Sequence, residues 1–329
     1  MFTERQDEKV KDKLGRNINY LRISVTDRCN LRCKYCMPAG VLDVCHEEIL
    51  RYEEFLAVCG TAVRLGINAF KITGGEPLIR RDIIPFMAEL KAMDGVRAVT
   101  LTTNGIYLEE HLPELVRIGI DGINISLDTL DREQFADITG TDGLSRVVTA
   151  LTATAESGIR TKVNAVMLGQ TRSQILPLAA LAETMPVDVR FIEVMPIGIG
   201  RFERGLTEDD ALAVLQQKYT DLRPDGGTHG NGPATYWKSE DMRGSIGFIA
   251  ANTHKFCDAC NRLRLTSTGF LKSCLCYDLG VDLKAVLRGK AGGTLEGAVA
   301  AAIGKKPQGH CFGEREEFTE GKTMNQIGG

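Results

Sequence analysis

No stretch of this 329-residue sequence approaches the roughly 18 consecutive apolar residues that a membrane-spanning helix requires, so no membrane role is expected. The opening segment, MFTERQDEKVKDK, is densely charged and lacks the apolar core of a secretory signal, which makes the cytoplasm the expected location. A net charge of −3 offers no basic excess with which to neutralise a phosphate backbone, so nucleic acid is not an expected partner. Low-complexity tracts and repeats of fixed period are missing, which removes solenoids and linker-rich architectures. No GxxxxGK[ST] occurs, and GIGRFE at 198–203 lacks the last glycine of a dinucleotide loop. Any bound nucleotide must therefore be gripped by side chains.

What is present is a folded, turn-rich composition, with 43% hydrophobic residues and 35 glycines, long enough to bury a large core. Apolar runs suited to buried parallel strands recur at 21–25, 69–73, 98–103, 122–127, 161–167 and 189–194. Between them Phe55, Val58, Ala62 and Leu65 keep helical spacing, and 81–92, 110–118, 143–157 and 172–183 read the same way. Alternation of strand and helix predicts an α/β fold on a parallel sheet. Six units fall short of the eight in a closed barrel, which points to an incomplete (β/α)6 barrel over 1–196. Glycine and polar clusters follow the strands: TGGEP at 73–77, TTNG at 102–105 and SLD at 126–128. That is the end where such barrels gather their chemistry. From about 197 the chain becomes loop-rich, with shorter strands at 245–251 and 262–266, and a smaller second module over 197–329 is expected.

Ten cysteines without an export signal argue for metal or redox use, because intracellular thiols stay reduced. Cys29, Cys33 and Cys36 form CxxxCxxC directly after the first strand. Four-iron clusters with a full protein ligand set take four thiolates, so three leave one iron open to a substrate or cofactor. A zinc site completed by Cys45 or His46 satisfies the same spacing. Cys257 and Cys260 form a CxxC, followed by Cys274 and Cys276, which fits either a zinc ribbon or a second cluster with three ligands. Basic residues on strand ends or beside the cysteines, Arg22, Lys71, Lys162, Arg190, Arg262 and Arg264, are candidates for holding phosphate. Arg262 and Arg264 alternate along one strand and so share a face.

CxxxCxxC with an aromatic residue, Tyr35, before its last cysteine resembles the radical S-adenosylmethionine superfamily, as does Gly74-Gly75-Glu76-Pro77 after the second strand. LRISVTDRCNLRCKYCMP, ITGGEPLIRRD, LTTNG, NISLD, RFIEVMP and CNRLRLTSTGFLKSCL, together with the terminal glycine pair, resemble more narrowly the GTP 3′,8-cyclase family of molybdenum cofactor biosynthesis. The likeness runs from about residue 16 to 329. It implies one four-iron cluster on Cys29, Cys33 and Cys36, with S-adenosylmethionine on the open iron and contacted by Tyr35, Gly75, Ser126 and Met195. It implies a second four-iron cluster on Cys257, Cys260 and Cys274, with Cys276 a possible competitor. Cys45, Cys59 and Cys311 match no motif. It implies GTP bound by Arg22, Lys71, Thr102, Lys162, Arg262, Leu263 and Arg264, with Lys71 standing where relatives commonly carry arginine. The implied reaction turns GTP into (8S)-3′,8-cyclo-7,8-dihydroguanosine 5′-triphosphate, the first committed step toward molybdopterin. A homodimer, a flavodoxin-type electron donor and a downstream cyclic pyranopterin monophosphate synthase are implied partners. Gly328 and Gly329 are expected to thread toward the active site. Three rivals stand beside this reading: a peptide-modifying radical enzyme, a zinc protein and a simple electron carrier.

Overall fold

The computed structural model describes residues 10–37, 44–312 and 319–328. In chain order its elements begin with β1 (Tyr20–Ser24), α1 (Tyr52–Arg64), β2 (Ala69–Thr73), α2 (Ile83–Ala92), β3 (Ala98–Thr103) and α3 (Leu108–Arg117). Next come β4 (Gly122–Ser126), α4 (Arg132–Thr139), α5 (Leu144–Glu156), β5 (Thr161–Met167), α6 (Ile175–Ala179), α7 (Leu181–Thr184) and β6 (Val187–Glu193). The remainder runs α8 (Glu208–Lys218), β7 (Arg223–Pro224), β8 (Thr235–Lys238), β9 (Ile246–Ile249), β10 (Arg262–Leu265), β11 (Phe270–Lys272), β12 (Gly280–Asp282), α9 (Leu283–Leu287), α10 (Leu295–Gly304) and α11 (Met324–Ile327). The described chain divides into two compact units, residues 10–29, 44–100, 257–312 and 319–328 in one and 30–37 and 101–256 in the other.

In the first unit β1 is the central strand. It pairs in parallel with β2 over Tyr20–Ser24 and with β10 over Tyr20–Ile23, although β10 lies at the far end of the sequence. β11 and β12 continue outward from β10 in antiparallel pairing. Every residue of β2, AFKIT, is buried, as expected of a parallel strand covered on both faces. α1 buries Phe55, Val58, Cys59 and Ala62 along one stripe, and Phe55 meets Phe86 of α2 with ring centroids 6.0 Å apart.

In the second unit β4, β5, β6 and β9 are successively parallel, and β8 and β7 close the order as an antiparallel pair. β5 and β6 are matched over their full lengths, Thr161–Met167 beside Val187–Glu193. The architecture is α/β on parallel strands, and the six strands expected from the apolar runs are present. The helix expected over 172–183 is broken: Gly169–Gln174 winds as a 3-10 turn before α6 and α7. Pro177 accounts for the break: it lacks the N–H for a bond to the carbonyl four residues back and its ring crowds that carbonyl, and it sits in the first turn of α6, which starts at Ile175.

Gly74 and Gly75 follow β2, where the chain presses against the segment leading into Cys29. Gly75 N–H donates to the Thr26 carbonyl (2.7 Å) and Glu76 N–H to that of Arg28 (2.8 Å). A Cβ on Gly75 would sit 2.2 Å from the Arg28 carbonyl oxygen, and one on Gly74 2.6 Å from that of Thr26. The obstacle in both cases is backbone, which cannot rotate aside. Gly75→Ala is therefore expected to destabilise the fold by about 3 kcal/mol, measured by urea unfolding. Gly292→Ala, with nothing within 4 Å of its added Cβ and no left-handed backbone, is the matched control and should be near neutral.

Candidate active site

The register of β1 determines the chemistry of the first unit. Arg22 is the direct neighbour of Lys71 on β2 and of Arg264 on β10, so three cationic side chains stand abreast on one face of three adjoining strands. Arg262 lies on the same face one pleat away, level with Tyr20. Leu263, between the two arginines, points the opposite way into the core beside Leu21. Burial pulls the Arg264 guanidinium well below its ordinary value, and the charges of Arg22 and Arg262 pull in the same direction. Arg22 Nε (2.7 Å) and Arg264 Nη1 (3.0 Å) both donate to the Gly328 carbonyl. Gly328 adopts φ +76°, and an added Cβ would lie 2.8 Å from that of Ser24 and 3.3 Å from Thr73 Cγ2, at the ends of β1 and β2. Only glycine fits there. Gly329 lies outside the described residues.

Beside this row, in the same unit, stand Cys257, Cys260 and Cys274. Burial raises the Cys260 thiol, but Lys306 and Arg262 bring it net below its ordinary value. Cys274 is raised by burial and feels the charges of Cys260 and Cys257, so the three thiols are neighbours. Lys306 Nζ ties the two sides together by donating to the carbonyls of Arg262 (2.9 Å) and Ser273 (3.1 Å). Arg16, buried and paired with Asp12 at 2.6 Å, donates to the carbonyls of Cys257, Gln308 and Pro307. Among the described residues no three His, Cys, Asp or Glu side chains draw together around a single metal-sized point. Three partly buried thiols flanked by cations are a chemically suitable ligand set for an iron–sulfur cluster, whose ligands are thiolates. Cys276 turns instead to Cys311, with the two buried sulfurs 3.0 Å apart.

In the second unit Cys33 and Cys36 occupy one turn, in which the Cys33 carbonyl accepts from Cys36 N–H (3.0 Å) and Met37 N–H (2.8 Å). Cys29 belongs to the first unit. Tyr35 OH donates to Asp128 Oδ2 at 2.8 Å, while Asp128 Oδ1 accepts from Val166 N–H, also at 2.8 Å. Burial raises both groups, Asp128 to about 6 and Tyr35 well above its ordinary value. Cys33, Tyr35, Asn104, Ser126, Asp128 and Thr129 line a cavity. Met195, half-buried ahead of the turn at Gly198–Phe202, does not line it. Thr102 on β3 accepts from Asn124 Nδ2 at 3.2 Å. Lys162, on β5, is buried and bonded to Asp188 (2.8 Å), the His229 carbonyl (2.5 Å) and the Tyr236 hydroxyl (2.7 Å). Burial draws it down to about 8 against the counter-pull of Asp188. Arg190 grips Asn164 Oδ1 through Nε (2.9 Å) and Nη2 (2.6 Å).

The sequence reading missed Arg16, Asp128, Asp188, His229, Tyr236 and Lys306. Asp128 carried a usable signal as the last residue of SLD, at a strand's C-terminal end. The others contact partners far away in sequence and sit in no motif.

A model of the radical S-adenosylmethionine superfamily matches residues 23–182, and one described as Molybdenum Cofactor Synthesis C matches 187–312. The GTP 3′,8-cyclase of Clostridium perfringens strain SM101 is 38% identical over 323 residues, covering 97% of this chain and 100% of the relative. That of Heliobacterium modesticaldum is 41% identical over 326 residues, covering 97% and 99%. Streptococcus suis SuiB bound to S-adenosylmethionine shares the fold, with a TM-score of 0.66 at 16% identity, over 92% of this chain and 75% of that one. Thus the basic row, the two cysteine sets and full-length similarity to these relatives agree: the chain belongs to the GTP 3′,8-cyclase family of radical S-adenosylmethionine enzymes.

Proposed function

We propose that this chain converts GTP to (8S)-3′,8-cyclo-7,8-dihydroguanosine 5′-triphosphate in molybdenum cofactor biosynthesis. The observation that carries the reading is the in-register row of Lys71, Arg22 and Arg264, with Arg262 beside it, built next to Cys257, Cys260 and Cys274. Four buried or half-buried cations on one sheet face suit a triphosphate, to which guanidinium forks donate charge-assisted hydrogen bonds. Thr102 and Lys162 complete the nucleotide contacts in this reading, and Leu263 can take part only through its backbone.

Cys29, Cys33 and Cys36 would hold one four-iron cluster and Cys257, Cys260 and Cys274 another, with Arg16 and Lys306 bracing the latter. The first cluster and S-adenosylmethionine, when bound, supply one-electron radical chemistry for hydrogen abstraction at the ribose. Tyr35, pinned by Asp128, and Ser126 would shape the cofactor pocket, with Gly75 and Met195 as further contacts. The protein's task is to hold the ribose in place and keep water out. The Gly328 carbonyl, gripped by Arg22 and Arg264, lies among the same cations, which supports the reading that the glycine pair Gly328 and Gly329 threads toward the active site. An incomplete (β/α)6 barrel over 1–196, a cluster-bearing module over 197–329, a homodimer, a flavodoxin-type reductant and a cyclic pyranopterin monophosphate synthase acting on the product belong to this proposal, as does the cytoplasm. No helix among the described residues is long and apolar enough to cross a membrane.

The deciding experiment is anaerobic. Protein reconstituted with iron and sulfide is given dithionite, S-adenosylmethionine and GTP, and is expected to yield 5′-deoxyadenosine with a cyclised guanosine product. 5′-Deoxyadenosine with unchanged nucleotide would sink the reading and favour a peptide substrate. In the same assay Cys257→Ser is expected to lose about half the iron and all cyclisation while still cleaving S-adenosylmethionine.

Arg264→Ala should weaken GTP binding by about 30-fold or more, read by equilibrium dialysis, whereas Lys71→Arg should match or tighten it through the added fork. The free enzyme's Lys162 is cationic below about pH 8 and neutral above it. GTP affinity should therefore fall as pH rises through 8, and Lys162→Arg, charged throughout, should flatten that fall.

A further inference from the structure

Lys162 is held by more than an ion pair. Its carboxylate partner, Asp188, is its direct neighbour across β5 and β6. The same Asp188 Oδ2 that accepts from Lys162 lies 3.0 Å from His229 Nδ1. The other ring nitrogen, Nε2, lies 3.0 Å from Asp225 Oδ2. Asp225 is itself fixed by Ser245 Oγ (2.9 Å) and Gly227 N–H (2.9 Å), and burial's upward push on it is outweighed. The imidazole stacks on Tyr236 with centroids 3.8 Å apart and planes at 11°, and the Tyr236 hydroxyl is one of Lys162's acceptors.

A neutral imidazole has a single N–H, so two carboxylate neighbours are both satisfied only when the ring carries both protons. The chain then alternates in charge: Asp225, His229, Asp188, Lys162. Asp188 is shared between two cations and neutralises neither fully. Arg160 and Arg190 add further positive charge around Lys162. Without His229, Asp188 would face the Lys162 ammonium alone and offset it more fully.

Resting on the reading of Lys162 as a nucleotide contact, we propose that His229 is a positioning residue for the reaction. It bridges Asp225 and Asp188, so that Asp188 orients the Lys162 ammonium without cancelling its charge toward the anionic substrate. The His229 carbonyl and the Tyr236 hydroxyl are the neutral acceptors that a nucleotide oxygen can replace, while Asp188 stays in place. His229 itself does not touch the nucleotide.

The test uses the reconstituted enzyme. His229→Phe keeps the ring stack on Tyr236 and removes both donations; its KM for GTP should rise about tenfold, the scale of one charge-assisted hydrogen bond. Its kcat at saturating GTP, and S-adenosylmethionine cleavage without GTP, should stay within about twofold of the parent. His229→Arg, which again presents a cation with donors at two edges, should recover KM to within about threefold. Thermal unfolding and iron content report folding. Should His229→Phe not fold, His229→Gln, which retains a donor for one carboxylate, should raise KM by about threefold. An unchanged KM in either folded variant overturns the proposal, as does a His229→Arg no better than His229→Phe, or an equal loss in kcat and cofactor cleavage. Lys162→Ala separates the two levels. If it leaves GTP binding intact, the reading of Lys162 fails; if it weakens binding and His229→Phe does not, only the positioning role fails.

Discussion

Parallel pairing of β1 with β10 on one side and β2 on the other is the constraint on which the first unit depends. It sets Lys71, Arg22 and Arg264 side by side at the strand spacing. Like charges carried on adjoining strands repel one another. The arrangement survives because the opposite pleat of the same strands is apolar and buried: Leu21, Ile23, Phe70, Ile72, Leu263 and Leu265. Backbone ladders and that core hold the strands in register whatever the cations prefer. The Gly328 carbonyl gives Arg22 and Arg264 a shared acceptor, but a carbonyl meets hydrogen-bond demand without cancelling charge. A polyanion would do both.

Much of this was legible in the sequence because the signals are local. Strands β1 to β6 announce themselves as apolar runs, the cysteine spacings are fixed by neighbouring residues, and alternation along RLRL already put Arg262 and Arg264 on one face. Register was not legible. Nothing within LRIS or RLRL says that Arg22 will neighbour Arg264, 242 positions later, because the pairing is decided by which buried edge each strand covers. The same limit hid Asp188 and His229. An aspartate in a strand and a histidine in a glycine-rich loop carry no motif, and their meaning comes only from sharing one oxygen with Lys162. The 172–183 helix failed for a local reason that could have been read, since Pro177 lies inside it.

The cysteines show how burial and charge sort one residue type into different chemistries. Cys260 sits beside Lys306 and Arg262, and its thiol is eased toward the thiolate that a metal requires. Cys59, enclosed by the apolar face of α1, is pushed the other way by desolvation alone and behaves as a small hydrophobe. Cys276, two residues from Cys274, meets the buried sulfur of Cys311 and is likewise driven up, first by burial and then by that partner. Burial raises Cys274 as well, so what separates it from Cys276 two positions on is its company: Cys257, Cys260 and Lys306 on one side, Cys311 on the other. Arg16 and Lys306 sharpen that separation by fixing backbone carbonyls on either side of the Cys257–Cys260 loop.

The two cation sites solve the same problem by different physics. In the first unit three of the four charges, Arg22, Arg262 and Arg264, are guanidinium groups whose protonation survives burial, so fixed register can leave them crowded and still cationic. In the second unit the charge is an ammonium, which burial weakens, drawing it down to about 8 even with Asp188 beside it. Asp188 opposes that fall but brings a new difficulty, because a full counter-ion would leave nothing for a substrate to bind. In the proposed arrangement Asp188 shares one carboxylate oxygen between Lys162 and the His229 ring, so it holds the ammonium without being committed to it alone. A lysine whose charge depends on a partner is tunable by that partner's neighbours, and an arginine row is not. The chain thus carries crowded guanidinium groups in one unit and a carboxylate-paired ammonium in the other.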